Sequence, residues 1–101
     1  EAELKDRRIL AEEGFVSVYA VVETTTGTIL AGPHIQARGV AEDDSVFEEI
    51  LPDVTEALSA ALETGKADAY SLQQVMRRTL GRWIGRRLRR RPMIVPVVIE
   101  A

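Results

Sequence analysis

The stretch Phe15-Val-Ser-Val-Tyr-Ala-Val-Val22 decides the fold. It is dense in β-branched and aromatic residues and is bounded by Gly14 and Glu23, so it reads as a strand. Thr24-Thr-Thr-Gly27 follows as a turn, with Gly27 free to take a positive φ. Ile29-Leu-Ala31 resumes the extended pattern. Gly32-Pro33 interrupts it, and because a proline has no N–H to donate, a bulge or a sheet edge is expected there. His34-Ile-Gln-Ala-Arg38 then alternates with period two until Gly39 breaks it. A long hairpin over 15–38 is the natural reading.

Two helical patterns come next. Ser45 and Glu48 have the spacing of a capping box, and the acidic run Glu42-Asp-Asp44 suits the positive end of a helix dipole. Phe47, Ile50, Leu51, Val54, Leu58, Ala61 and Leu62 recur at the spacing of one helical face. Pro52 interrupts that face, so either the helix kinks or a short turn precedes a helix starting near Pro52. Gly65 suits the position just past the helix end. Ser71 and Gln74 form a second box spacing, and Leu72, Val75, Met76, Thr79, Leu80 and Trp83 share a face. Arg91-Pro92 is expected to end this helix, since a residue before proline avoids the helical region.

Met93-Ile-Val-Pro-Val-Val-Ile99 reads as a last strand that is apolar on both faces. Pro96 is tolerated where its missing N–H does no harm, at an edge or bulge. The expected fold is α+β: a small three-stranded β-sheet with two α-helices packed on one face, in the order β-β-α-α-β. Residues 1–13 read as a charged lead-in and 14–101 as the domain.

The chain has 101 residues, 46% apolar and 29% charged, which is one ordinary globular domain. It has no Cys and one His, which excludes disulfides, cysteine-held metal centres and a His-rich catalytic metal site built within it. No apolar run approaches the roughly 18–20 residues needed to span a bilayer, so no membrane partner is expected. The first eight residues are too charged for a signal peptide; together with the lack of Cys this points to the cytoplasm. The net charge of −3 hides an asymmetry: residues 1–69 carry 5 basic and 15 acidic side chains, whereas 70–101 carry 8 Arg and 1 Glu. Such asymmetry suits either a nucleic acid or an acidic surface, including the acidic half of the same chain.

His34 has no nucleophile or orienting partner near it in sequence, and reads as a strand histidine. Asp43, Asp44, Glu48 and Glu49 lack the loop glycine and ligand spacing of a calcium hand, and helix capping accounts for them. Gly81 and Gly85 lie about one turn apart in a helix, where each costs about 1 kcal/mol against Ala and calls for a packing reason. Trp83 shares the apolar face and reads as core or subunit contact. Arg78, Arg82, Arg86 and Arg89 are spaced 4, 4 and 3, one stripe flanking that face, widened by Arg77, Arg87, Arg90 and Arg91. Guanidinium forks suit phosphate, while the scarcity of aromatics argues against a base-stacking platform. No catalytic constellation emerges.

Several segments resemble one family. These are Asp6-Arg7-Arg8-Ile-Leu with Glu13-Gly14, Gly32-Pro33-His-Ile-Gln-Ala-Arg38-Gly39, Arg77-Arg-Thr-Leu-Gly-Arg-Trp83, and above all Arg90-Arg91-Pro92-Met93-Ile94-Val95-Pro96-Val97. Together they are similar to the C-terminal domain of ribonuclease J, of actinobacterial type. The resemblance implies a parent enzyme of bacterial RNA maturation and decay, with 5′-to-3′ exonuclease and endonuclease activities. It implies a metallo-β-lactamase body with an inserted β-CASP domain, holding two zinc ions in a His/Asp site. It also implies a linker, from which 1–13 would come, and a small domain that contributes to oligomer formation and full activity. The catalytic H-x-H-x-D-H motif is absent, so no catalytic residue, metal ligand or cofactor is carried onto this chain, and zinc belongs to the parent's catalytic domain.

Two readings of different class follow. As an assembly module, the domain packs against a copy of itself and against the catalytic domains of its own protein, with Gly81, Trp83, Met93, Val95 and Val97 as candidate contacts. As an accessory RNA module, it neutralises phosphates with Arg78, Arg82, Arg86 and Arg89.

Overall fold

The computed structural model describes residues 13–101. The lead-in expected over 1–13 lies outside the described residues except for Glu13, as do the Asp6-Arg7-Arg8 part of the resemblance and the residues following it up to Glu12.

The expected hairpin forms from β1 (Phe15–Glu23) and β2 (Thr28–Arg38). Gly27 takes φ 71°, and its N–H closes the turn on the Glu23 carbonyl at 3.0 Å. The strands pair antiparallel from Phe15↔Arg38 to Glu23↔Thr28, with register shifts between Tyr19 and Val21 and again between Val21 and Val22. The first shift is the irregularity expected at Gly32-Pro33. Gly32 sits there at φ 82°, and a Cβ on it would stand 2.7 Å from the Tyr19 carbonyl oxygen, so only glycine fits.

A 3₁₀ helix over Asp44–Glu49 precedes helix α1 (Leu51–Glu63). The Ser45–Glu48 capping box expected from sequence is not formed. Asp43 is the cap instead, its carboxylate accepting from the Ser45 N–H at 2.9 Å. That hydrogen bond holds the Asp43 carboxyl below the usual carboxylate range. Pro52 explains the break: inside one continuous helix it would lack its N–H and crowd a preceding carbonyl. It lies in the first turn of α1, where the missing donor is harmless. Gly65 ends α1 as expected, at φ 71°, donating to the Leu62 carbonyl at 3.2 Å.

Helix α2 spans Ala69–Arg87. Its capping box also differs from the expected Ser71–Gln74 pair and sits three residues earlier. The Ser71 N–H donates to Asp68 Oδ1 at 2.8 Å, and the Asp68 N–H donates to Ser71 Oγ at 3.0 Å. A carboxylate is the stronger acceptor for the orphan amides of a helix start, so Asp68 takes the position that Ser71 would fill. The Ser71 backbone N–H lowers the Asp68 pKa, as expected for a carboxylate stabilised in its charged form. The far end of α2 needs correction too. The helix stops at Arg87, not at Arg91-Pro92, and Arg89 turns the chain with φ 57°. Pro92 constrains only Arg91 before it; the chain needs the intervening residues to swing from helix to sheet.

Strand β3 (Met93–Glu100) joins β1 in parallel, Phe15↔Met93 through Val22↔Glu100, giving the sheet order β2-β1-β3. Helix α1 packs on β2, α2 packs on β3, and the helices touch each other. The core lies between them and one face of the sheet. Val16, Val18, Ala20 and Val22 of β1 meet Val54 and Leu58 of α1 and Leu72, Met76, Leu80 and Ile84 of α2, all essentially without solvent contact. Fully burying each of these Val, Leu, Ile and Met side chains stabilises by roughly 1.5–3 kcal/mol, and Ala20 by less.

Candidate functional site

β1 alternates, so the residues between its core positions project from the opposite side of the sheet. There Tyr19 stands beside Val97 and Val21 beside Ile99, with Ser17 beside Val95. Tyr19, Val95, Val97 and Ile99 are 36–53% exposed, and no element of the described chain covers them. The Tyr19 and His34 rings lie 5.1 Å apart at a 41° tilt, extending the same surface onto β2. His34 has no catalytic arrangement around it among the described residues. Half-buried Met93 is level with Phe15 at one end of this face.

The free edge of β3 is different. The Met93 N–H donates to the Gly14 carbonyl and the Ala101 N–H to that of Val22, so odd-numbered residues bond inward to β1. The backbone N–H and C=O groups of the even-numbered residues therefore point to the free edge. Pro96 has no donor to offer, and the Val98 N–H is taken by Gln73 Oε1 at 3.0 Å. These two devices blunt the edge against strand addition. Pro96 thus lies at an edge, as expected from its missing N–H; the apolar side chains of Val95, Val97 and Ile99 are exposed on a face, and the backbone edge of β3 is half closed.

The proposed contact residues are thereby divided. Met93, Val95 and Val97 belong to the open face. Gly81 and Trp83 lie on the covered side. A Cβ on Gly81 would meet Ile94 Cδ1 at 3.4 Å, so this glycine lets α2 lie close on β3. Trp83 is half buried against the core, its ring 5.5 Å from that of Phe47.

The arginines are also sorted by the fold. Arg87 reaches the acidic side of the molecule, donating to both carboxylate oxygens of Glu49 at 3.1 Å. That bond and the Glu49 charge raise the Arg87 pKa. Neutralisation by the acidic half of the same chain therefore holds for Arg87. Arg90 donates to the Gly39 carbonyl at 3.4 Å, and the Arg91 N–H to Glu13 Oε1 at 2.8 Å. Arg82, Arg86, Arg89 and Arg91, together with Arg90, line an open groove of about 670 Å³ with Gly81, Gly85, Pro92 and Ile94. Arg78 is exposed one turn further back and outside the groove. Arg91 and Gly85 also line the groove, although neither belongs to the stripe of Arg78, Arg82, Arg86 and Arg89.

Among the described residues no three of His, Cys, Asp and Glu come together in a way that could hold a metal ion. No helix among them is long and apolar enough to cross a membrane. The described residues thus form a small α+β domain with two presented surfaces, one apolar and one cationic. The chain belongs to the ribonuclease J C-terminal domain family, which residues 2–101 match. It is 41% identical over 93 residues to ribonuclease J of Mycobacterium tuberculosis, covering 92% of this chain and 17% of that protein. It is 40% identical over 100 residues to ribonuclease J of Mycolicibacterium smegmatis, covering 99% and 18%. Ribonuclease J 2 of Staphylococcus aureus is 33% identical over 100 residues, covering 96% and 18%. The chain therefore spans under a fifth of the length of the curated relatives it matches.

Proposed function

We propose that this domain holds copies of a longer, J-type ribonuclease together through its open sheet face, and so supports that enzyme's full activity in RNA maturation and decay. The parent's hydrolytic chemistry, exonucleolytic and endonucleolytic, resides in metallo-β-lactamase and β-CASP domains outside this chain, in the cytoplasm. The two zinc ions belong there as well: with His34 as its one histidine and no Cys, this chain offers no donor set for them. Its partners are a second copy, the catalytic domains and RNA.

The observation that carries the assembly reading is the uncovered apolar face of Tyr19, Val95, Val97 and Ile99. Two such faces pack about 10 Å apart as a sandwich, and a two-fold arrangement makes one patch serve both partners. Three strands at their usual spacing and eight residues of usual rise give a footprint of roughly 400 Å². That is about half the roughly 800 Å² per partner of a standard stable interface, so the isolated chain should associate weakly and the longer enzyme more tightly. Sedimentation equilibrium from about 1 μM to about 1 mM tests this. A monomer–dimer equilibrium that Val97→Lys abolishes supports the reading, and a monomer at every concentration sinks it for the isolated chain.

A further inference from the structure

We propose that the groove beside the C-terminal turns of α2 binds the sugar–phosphate backbone of a single RNA strand. The choice of RNA rests on the reading above, that the parent enzyme acts on RNA; the site itself rests on three observations.

The first is charge without a partner. The side chains of Arg82, Arg86, Arg89 and Arg91 line the groove and make no hydrogen bond or ion pair with any described residue. Arg87, next to Arg86, shows what an intramolecular acid does when it is in reach, since Glu49 grips it through both oxygens. Four neighbouring cations left in this state repel one another, and an incoming polyanion relieves that repulsion.

The second is Gly85. A glycine within a helix is less favourable than alanine, and a close neighbour usually accounts for it. Gly81 has such a neighbour in Ile94. A Cβ on Gly85 would meet nothing within 4 Å. Packing does not require this glycine. Its effect is to leave the groove floor open at the level of the arginines.

The third is Arg89. It sits just past the helix end at φ 57°, the left-handed conformation that favours glycine. A glycine thus stands where alanine is better, and an arginine where glycine is better, in one groove. Paired departures from local preference mark sites shaped for something other than stability.

The geometry selects the ligand. Arg82 and Arg86 step along α2 at a rise of about 6 Å, and Arg89 follows just past the helix end. They present a row of bidentate donors to a repeating anion rather than a cage for one phosphate. The open floor lets a strand pass along the row. No exposed aromatic lines the groove, so the contact is to the backbone and tolerates any base sequence.

The test is fluorescence anisotropy with a labelled single-stranded RNA of about 12 nucleotides and the 101-residue chain. Three to four phosphate contacts at about −0.7 each give a log–log salt slope of about −2 to −3. A fourfold rise in salt should then weaken binding roughly 20- to 50-fold. Arg86→Gln should reduce the slope by about 0.7. Gly85→Leu should weaken binding several-fold with every charge kept, while raising Tm; a purely structural glycine would show the second effect alone. Arg77→Gln removes the same charge outside the groove and should leave the slope unchanged. No binding at low salt overturns the proposal. So do Arg86→Gln and Gly85→Leu variants that bind as the unaltered chain does, an outcome that would leave these arginines to an acidic protein surface. Inorganic polyphosphate binding where RNA does not would overturn the ligand. Light scattering on the same samples keeps the two readings apart. Oligomers of the unaltered chain that bind no RNA at low salt reject the groove alone, and monomers that bind RNA reject the assembly face alone.

Discussion

The two faces of the sheet are built from the same strands and both carry apolar residues along β1 and β3, yet among the described residues one is sealed and the other open. On the sealed side Val16, Val18, Ala20 and Val22 disappear beneath two helices. On the bare side Tyr19, Val97 and Ile99 stand in solvent. Alternation makes the two sets interleave residue by residue along β1, so no local property of the strand separates them. What separates them is whether an element of the described residues supplies a cover. The same apolar chemistry therefore stabilises the chain on one side and, under the proposed assembly, recognises a second copy on the other.

Substitutions can break that contrast, beginning with the largest effect. Leu80→Ala on the sealed side should cost about 2–5 kcal/mol by chemical denaturation, because the cavity it leaves is enclosed by the core. Val97→Lys on the bare side should change the fold's own stability by no more than about 1 kcal/mol, while weakening self-association at least about tenfold, or about 1.4 kcal/mol. Equal losses of stability from both would show that the bare face is a second core. Gln73→Leu sharpens the contrast between face and edge. It frees the Val98 N–H and should cost about 0.5–1.5 kcal/mol, with association through the face unaltered. The smallest effect is at the α2 cap. The Asp68 carboxyl has its pKa lowered by folding, so its stabilising effect is complete above the unfolded value near 4 and fades as pH falls through the lower, folded value. Asp68→Asn keeps a good cap at pH 7 and should flatten the acid limb of the Tm–pH curve below about pH 4.

The sequence made the hairpin, both helical faces and the last strand legible, because each rests on periodicity or on a glycine or proline at a fixed place. Caps and ends were less legible. Around Asp68, Ser71 and Gln74 two overlapping pairs have box spacing, and only the fold decides between a carboxylate and a hydroxyl. Arg91-Pro92 marks the latest point at which α2 can end, and the turn through Arg89 comes earlier because the chain must reach the sheet. The open face was half legible. Met93–Ile99 is visibly apolar on both sides, but which side is covered depends on the parallel pairing with β1, a long-range fact. The cationic groove was legible as a stripe only. Separating Arg87 from Arg86 requires Glu49, which lies in a different helical segment.

The central position of β1 has a consequence for the order of events during synthesis. β1 emerges from the ribosome first among the described strands, and its partner β3 emerges last. Until Met93–Glu100 arrives, the Gly14 and Val22 carbonyls wait unpaired along an exposed strand edge. The hairpin and both helices can assemble beforehand, but the parallel pairing closes the longest loop in the domain and sets the pace of the final step. A nascent chain paused before β3 is thus a sticky intermediate, and the last strand is what converts it into a finished domain.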